Sequence, residues 1–276
     1  MRSHREKTVI DLLSALLIVV LLCSSAALGM FISPRLPPAH RARDTVEMMT
    51  LTIGMLITFA ALVLGLITAS VKTAYDDAVH YRQEYALQLT ELDRCLRNYG
   101  PGADAARAYL RSYTAAAIAS IWPSEPPPVG VQYPDTSGMH NLVISGEVPA
   151  HADLMNRAGL EISRLSPMDA SQTRIAENCR HDYRDVVRAR LSVLETKNAR
   201  LSAPFYQILV FWLMIIFASF GLVAPRHSLS AISIALCAVS LSTAIFVIFD
   251  LSRPYDGLFA MSSAPMRTAL DTMLLP

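Results

Sequence analysis

Charged residues are scarce in this 276-residue chain: Asp, Glu, Lys and Arg make up 17% of it, against about a quarter in soluble domains. With 53% hydrophobic residues, it carries more apolar surface than a water-soluble fold can hide, and a membrane protein is expected. The 24 Lys and Arg nearly balance the 23 Asp and Glu, so the basic face of a nucleic-acid binder is missing and no nucleic-acid partner is expected. Cysteine is scarce too. The four present lie far apart, Cys23 and Cys237 in apolar runs, so neither a disulfide framework nor a zinc site is expected. The seven histidines form no i, i+4 pair and no HExxH element, which leaves a zinc hydrolase without support. No glycine-rich loop has the phosphate-binding pattern, and Ser262-Ser263 sits in no nucleophile elbow. Cys179, His181 and Asp182 could be imagined as a redox or nucleophilic cluster, but positions two apart on a helix point to different sides. Packing is expected for Cys179 and solvent for His181. The chain is therefore read as a non-enzyme, with no catalytic residue, metal or cofactor.

What is present is apolar length. Crossing a hydrocarbon core of about 30 Å takes roughly 20 helical residues, and four stretches suffice: about 12–32, 48–71, 205–224 and 229–249. None contains Lys, Arg, Asp, Glu or His, residues that cost several kcal/mol at a helix centre. A signal peptide is the competing reading of the first stretch, with Arg2, Arg5 and Lys7 as its basic region. The apolar run is longer than the usual 7–15 residues and a second span follows a short Pro-rich loop, so it is read as a span. Lys and Arg near the span ends set orientation. One side collects Arg2, Arg5, Lys7, Lys72, Arg82, Arg188, Arg190, Lys197, Arg200, Arg253 and Arg267; the other keeps Arg35, Arg41, Arg43 and Arg226. Both termini and the central region are expected in the cytoplasm.

The expected layout is an all-α membrane protein of four transmembrane helices, with a cytoplasmic helical domain inserted between the second and third. Residues 1–71 form an N-terminal hairpin, 72–203 the cytoplasmic region, 204–250 a C-terminal hairpin and 251–276 a tail along the membrane surface. In the central region Ala78, Tyr81, Tyr85, Leu89, Leu92, Leu96 and Tyr99 recur at spacings of three and four, a helical stripe. No Gly or Pro interrupts 71–98, so the second span is expected to run on unbroken until Gly100-Pro101-Gly102. A second helix carries Leu110, Tyr113, Ala117 and Ile121 and stops at Trp122-Pro123; a Pro-rich loop fills 123–149 and residues 150–165 form a third helix. Ser166, Pro167 and Asp169 read as the start of a fourth, with the stripe Ile175, Cys179, Tyr183, Val187, Leu191, Leu194, Leu201.

Two places stand out. On the second span Thr50, Gly54, Thr58, Ala61, Gly65 and Thr68 step by three and four, gathering small and hydroxyl residues on one helical face. Such a face lets helices pack closely, or it lines a narrow pore. A similar face on the fourth span, Ser230, Ser233, Cys237, Ser240 and Ala244, leans toward packing. At the end of the fourth span stand Asp250, Arg253, Pro254, Asp256 and Gly257, which read either as a rigid charged collar near a permeation path or as a stop signal with Arg253 offsetting a carboxylate.

The stretches ILVFWLMIIFASFGLVAPRHS (208–228), IFVIFDLSRPYDGLFAMSSAPMRTAL (245–270) and LDRCLRNYGP (92–101) resemble those of the bacterial bestrophin-like membrane proteins, a family known as a domain of unknown function. Ser262, Ser263, Pro265 and Arg267 belong to the matching tail motif. The family pattern ends the final span with two acids straddling a Leu; here the second position is Ser252. The resemblance implies residence in a bacterial inner membrane and kinship with bestrophins, homopentameric ion channels whose second transmembrane helix lines the pore. The six second-span residues then become lining candidates, Lys72 and the helix below them a vestibule, and the partners a lipid bilayer, further copies of the chain and inorganic ions. The alternative is a non-conducting scaffold or sensor that binds a partner through its cytoplasmic helices and Pro-rich loop.

Overall fold

The computed structural model describes residues 2–35, 37, 43–136, 148–196, 203–225, 227–255 and 258–275, with the backbone alone at 2–12, 43, 196 and 203–206. The described residues form helices α1 (Arg2–Ile32), α2 (Arg43–Tyr99), α3 (Asp104–Ile121), α4 (Pro149–Ser163), α5 (Ala170–Thr196), α6 (Ala203–Val223), α7 (Ser228–Leu251) and α8 (Ala264–Leu274). No strand occurs among them. Three of these helices are long and apolar enough to cross a bilayer (Leu13–Arg35, Asp44–Tyr99 and Ser228–Leu251), and a shorter apolar stretch covers Gln207–Val223.

The chain divides into two compact units: Met1–Thr73 with Arg200–Phe259, and Ala74–Ala199 with Ala260–Pro276. In the first, α1 packs on α6 and α7. The α1–α6 crossing is close because its facing residues are small. A Cβ on Gly29 would run into the Ala218 carbonyl, and one on Gly221 into that of Ala26. Two hydroxyls tie the helices together, Ser25 donating to the Met214 carbonyl at 2.6 Å and Ser242 to that of Ala15 at 2.7 Å. Such bonds join helices where water supplies no alternative partner. Leu22, Leu213, Phe217, Ala238 and Ile245 fill the space between them.

In the second unit the α2 stripe does what its spacing predicts: Ala78, Tyr85, Leu89, Leu92, Leu96 and Tyr99 are buried, and Tyr81 is left exposed. Gly100 ends the helix at φ +98°, a left-handed conformation that favours glycine. On α3, Leu110, Tyr113 and Ala117 are buried, and α4 and α8 pack against this helix.

Four sequence expectations change here. Helix α5 starts at Ala170, and its cap is Asp169, whose Oδ1 accepts the Gln172 N–H at 2.7 Å, while the Ser166 hydroxyl donates to the Arg164 carbonyl. The buried line on α5 is Ala176, Cys179, Val186 and Val193, whereas Ile175, Tyr183 and Val187 are half-buried and Leu191 is exposed. The expected stripe advanced by four residues from Ile175 to Leu191 and so drifted about 40° per step round the helix; its last member, Leu201, lies outside the described residues. Cys179 is buried, but it is disulfide-bonded to Cys95, 84 residues away. Lastly, the tail helix α8 buries Met266, Ala269, Leu270 and Met273 in the second unit's core, where an amphipathic helix along the membrane surface had been expected.

Candidate functional site

The six second-span positions share one strip of α2. At 3.6 residues per turn they fall within an arc of about 80°. All six are exposed. From Asp44 to Val71 the buried residues are Ile53, Ala60 and Val71, about 60–80° round the helix from the strip's nearer edge, and beside Ala60 the Phe59 ring lies 5.2 Å from Trp212 of α6. A methyl added at Gly54 or Gly65 would meet nothing within 4 Å. The unit's own helices therefore leave this face open. Its hydroxyls are already oriented: Thr50 donates to the Val46 carbonyl at 2.8 Å, Thr58 to Gly54 at 2.9 Å and Thr68 to Leu64 at 2.7 Å. With each proton turned back onto the helix, the outward part of the hydroxyl is an oxygen lone pair, an acceptor for a neighbouring donor, a water or a cation. Lys72, one turn beyond Thr68, is exposed. The comparable strip on α7 (Ser233, Cys237, Ser240, Ala244) is also exposed, and the face that α7 packs is Ala238, Ser242, Ile245 and Ile248.

The end of α7 has a definite job. Asp250 is 3% exposed; its Oδ1 accepts the Leu258 N–H at 3.0 Å and its Oδ2 the Phe259 N–H at 2.8 Å. The carboxylate thus holds the returning chain by its backbone. Arg253 lies over the Phe249 ring at 4.0 Å, and Pro254 is half-buried in the turn. Asp256 and Gly257 lie outside the described residues. Ser252 donates to the Phe249 carbonyl at 2.6 Å, a local bond that makes no use of a second acid.

The tail-motif residues build the start of α8. Ser262 Oγ accepts the Ala264 N–H at 3.1 Å and Pro265 occupies the first turn. Ser263 donates to the Glu125 carboxylate; Arg267 donates to the same carboxylate at 2.9 Å and to the Pro126 carbonyl at 2.7 Å. Trp122 adds a bond from Nε1 to the Met261 carbonyl at 2.8 Å. The Pro-rich segment after α3 is therefore pinned to α8, a role for Trp122 and Glu125 that sequence reasoning missed. At the other end of α8, Arg97 donates to the Thr272 carbonyl at 2.9 Å and both Arg97 and Arg107 bind Asp93. Arginines at the carbonyl end of a helix also suit its dipole. Arg111 nearby is pushed below the usual arginine range by burial and by the charge of Arg107. The LDRCLRNYGP motif contributes Asp93, Cys95, Arg97 and Gly100 to these joints; the regularity of the motif was visible in sequence, its partners were not.

Among the described residues no group of three or more His, Cys, Asp or Glu is placed to hold a metal. His181 is exposed and paired with Asp185 at 3.0 Å.

An all-helical protein with bilayer-length apolar helices, an open hydroxyl-bearing strip on one of them and a helical unit built round the buried Asp93 carboxylate and its two arginines is a membrane protein of the bestrophin type of fold. A point variant of a bacterial bestrophin homologue from Klebsiella pneumoniae superposes with a TM-score of 0.67 at 13% identity, over 95% of this chain and 100% of that one. Another structure of that homologue gives 0.66 at 14%, over 94% and 97%. A structure described only as a membrane protein gives 0.65 at 14%, over 95% and 97%. No curated protein matches in sequence at a comparable level. The family model for the bestrophin-like domain matches residues 20–266, and the chain belongs to the bestrophin-like family.

Proposed function

We propose that this membrane protein is a homo-oligomeric ion channel in a bacterial inner membrane, with four helices (α1, the first half of α2, α6 and α7) crossing the bilayer and both termini in the cytoplasm. The Thr50, Gly54, Thr58, Ala61, Gly65, Thr68 strip of α2 lines the pore around the symmetry axis, and the second unit forms the cytoplasmic part. The observation that carries this reading is the open strip: small residues leave room, and the back-bonded threonines turn oxygen lone pairs outward at positions left exposed among the described residues. Side-chain oxygens along a narrow path can replace part of an ion's hydration shell. The family's kinship with bestrophins supports a pentamer.

Liposome flux tests it. Purified protein in sealed vesicles should dissipate an ion gradient, and Thr58→Phe, which plugs the strip, should lower the flux at least tenfold while the oligomer persists in detergent. No flux for any small ion, or a monomer in detergent, would leave the scaffold reading. That second reading rests on the surface around Val129, which is 83% exposed in the Pro-rich segment that Glu125 and Trp122 hold in place.

A further inference from the structure

In the second unit, Cys95 on α2 and Cys179 on α5 are bonded, with their Cα atoms 5.5 Å apart. The two sulfurs differ in access. Cys179 is fully buried in the core, while Cys95 is partly exposed on the floor of an open groove of about 570 Å³ between α2 and α5. The groove is walled by polar side chains, among them Glu91, Arg94, Asn98, Asn178 and His181. A deeply structural disulfide would hide both cysteines; here Cys95 is half-buried and lines an open groove whose wall includes Arg94. The topology proposed above puts the second unit in the cytoplasm, where a lasting disulfide is unusual and a transient one is the rule.

We infer that Cys95–Cys179 is a thiol–disulfide exchange site, whose co-substrate is a dithiol, either a small molecule or a protein with a paired-cysteine motif. The thiolate of the dithiol attacks Cys95 Sγ and forms a mixed disulfide with it. The Cys179 sulfur leaves with the bonding pair and takes a proton. The second thiolate of the reductant then attacks its own sulfur in the mixed disulfide, Cys95 leaves as a thiolate and is protonated from water, and the reductant departs as a disulfide. Two electrons and two protons reach the pair. Oxidation by a disulfide of the same class reverses each step. When closed, the bond staples the C-terminal half of α2 to α5; when open, that covalent tie is gone. The polar groove admits the co-substrate, and the buried Cys179 is shielded from over-oxidation.

The inference rests on the cytoplasmic placement proposed above, so the test reads the two separately. The full-length protein carrying Cys23→Ser and Cys237→Ser is expressed with a reporter fused after Pro276, and cells are quenched with acid, denatured and labelled with a maleimide polymer. Two labels per chain are expected in resting cells and none after diamide, with both labels returning once diamide is removed. The purified protein should show the same paired, reversible change across a series of reduced-to-oxidised dithiothreitol ratios without denaturant. A cytoplasmic reporter with two labels even after diamide sinks the exchange site and spares the topology. A periplasmic reporter with no label in any cell condition sinks the topology and the cytoplasmic exchange with it. A bond that resists dithiothreitol until the protein is unfolded overturns the accessibility of Cys95 whatever the reporter says.

Discussion

Arg107 grips both oxygens of Asp93, Nε to Oδ1 at 3.0 Å and Nη2 to Oδ2 at 3.3 Å, with the carboxylate 1% exposed. Arg97 binds the same carboxylate from one turn along α2, and both arginines reach the last carbonyls of α8. Removing one partner of a buried charge pair strands the others and costs about 3–5 kcal/mol. Asp93→Ala is expected to lower stability by that amount and to make residues 264–275 sensitive to protease. Detergent unfolding curves and limited proteolysis check both; an unchanged midpoint would show that the network is energetically idle.

Asp250 holds the chain after α7 through two backbone N–H groups. Hydrogen bonds to a charged group are worth about 1.5–3 kcal/mol each, so Asp250→Ala should lose a few kcal/mol and Asp250→Asn, with a single acceptor oxygen, less. Thermal unfolding of the two variants should keep that order.

The glycines of the first unit separate into two kinds. Gly29 and Gly221 sit where any side chain meets a carbonyl, and overpacking costs about 1–3 kcal/mol, so Gly221→Ala should lower the thermal midpoint. Gly54 and Gly65 have open space around them, and in a helix Ala is favoured over Gly by roughly 0.5–1 kcal/mol. Gly65→Ala should therefore fold at least as well as the parent and reduce flux. A destabilised Gly65→Ala oligomer would place another subunit's helix, and no open path, against this strip.

Contact between subunits at the strip can be read directly. In a background lacking Cys23 and Cys237, Thr58→Cys should crosslink chain to chain under mild oxidation, checked on a non-reducing gel. Monomers alone would remove the axial placement of α2.

Asp182 supplies a pH dependence. Burial, with the like charge of Asp185 behind it, raises its carboxyl above the ordinary value of 3.8, and His181 opposes the rise. The folded state thus holds this proton more tightly than the unfolded state. The contribution is fully present below the unfolded value and is lost as pH rises through the raised one. Asp182→Asn should be more stable than the parent at neutral pH, with the gap closing as pH falls toward 4. A pH series of unfolding midpoints measures it; a gap that widens in acid would reverse the assignment.

Some of these relationships were legible before any coordinates. The absence of Gly and Pro from 71–98 predicts an unbroken helix, and α2 runs to Tyr99. The 3–4 spacing of Leu89, Leu92 and Leu96 predicts a buried stripe, and all three are fully buried. On α5 the same rule slipped because Val186 and Val187 are both apolar, and which of them is buried depends on where α2 and α4 lie. Ser166 and Asp169 are both good caps, and only the folded chain shows that Asp169 accepts the Gln172 N–H while Ser166 turns back to the Arg164 carbonyl. The Cys95–Cys179 bond was invisible, since a separation of 84 residues carries no signal unless α2 and α5 are known to be neighbours. The strip on α2 was identifiable as a face by counting, but its openness depends on which helices stand beside it.

By itself the sequence determined which segments prefer lipid and which residues share a helical face, because transfer free energy and helical periodicity are local and add along the chain. Only the tertiary structure decided that Asp250 captures two backbone amides, that Asp93 organises the arginines at the end of α8, that the tail joins the second unit and that Cys95 meets Cys179. Each of those depends on distances of a few ångströms between residues far apart in the chain, and short-range forces act on such pairs only after folding has brought them together.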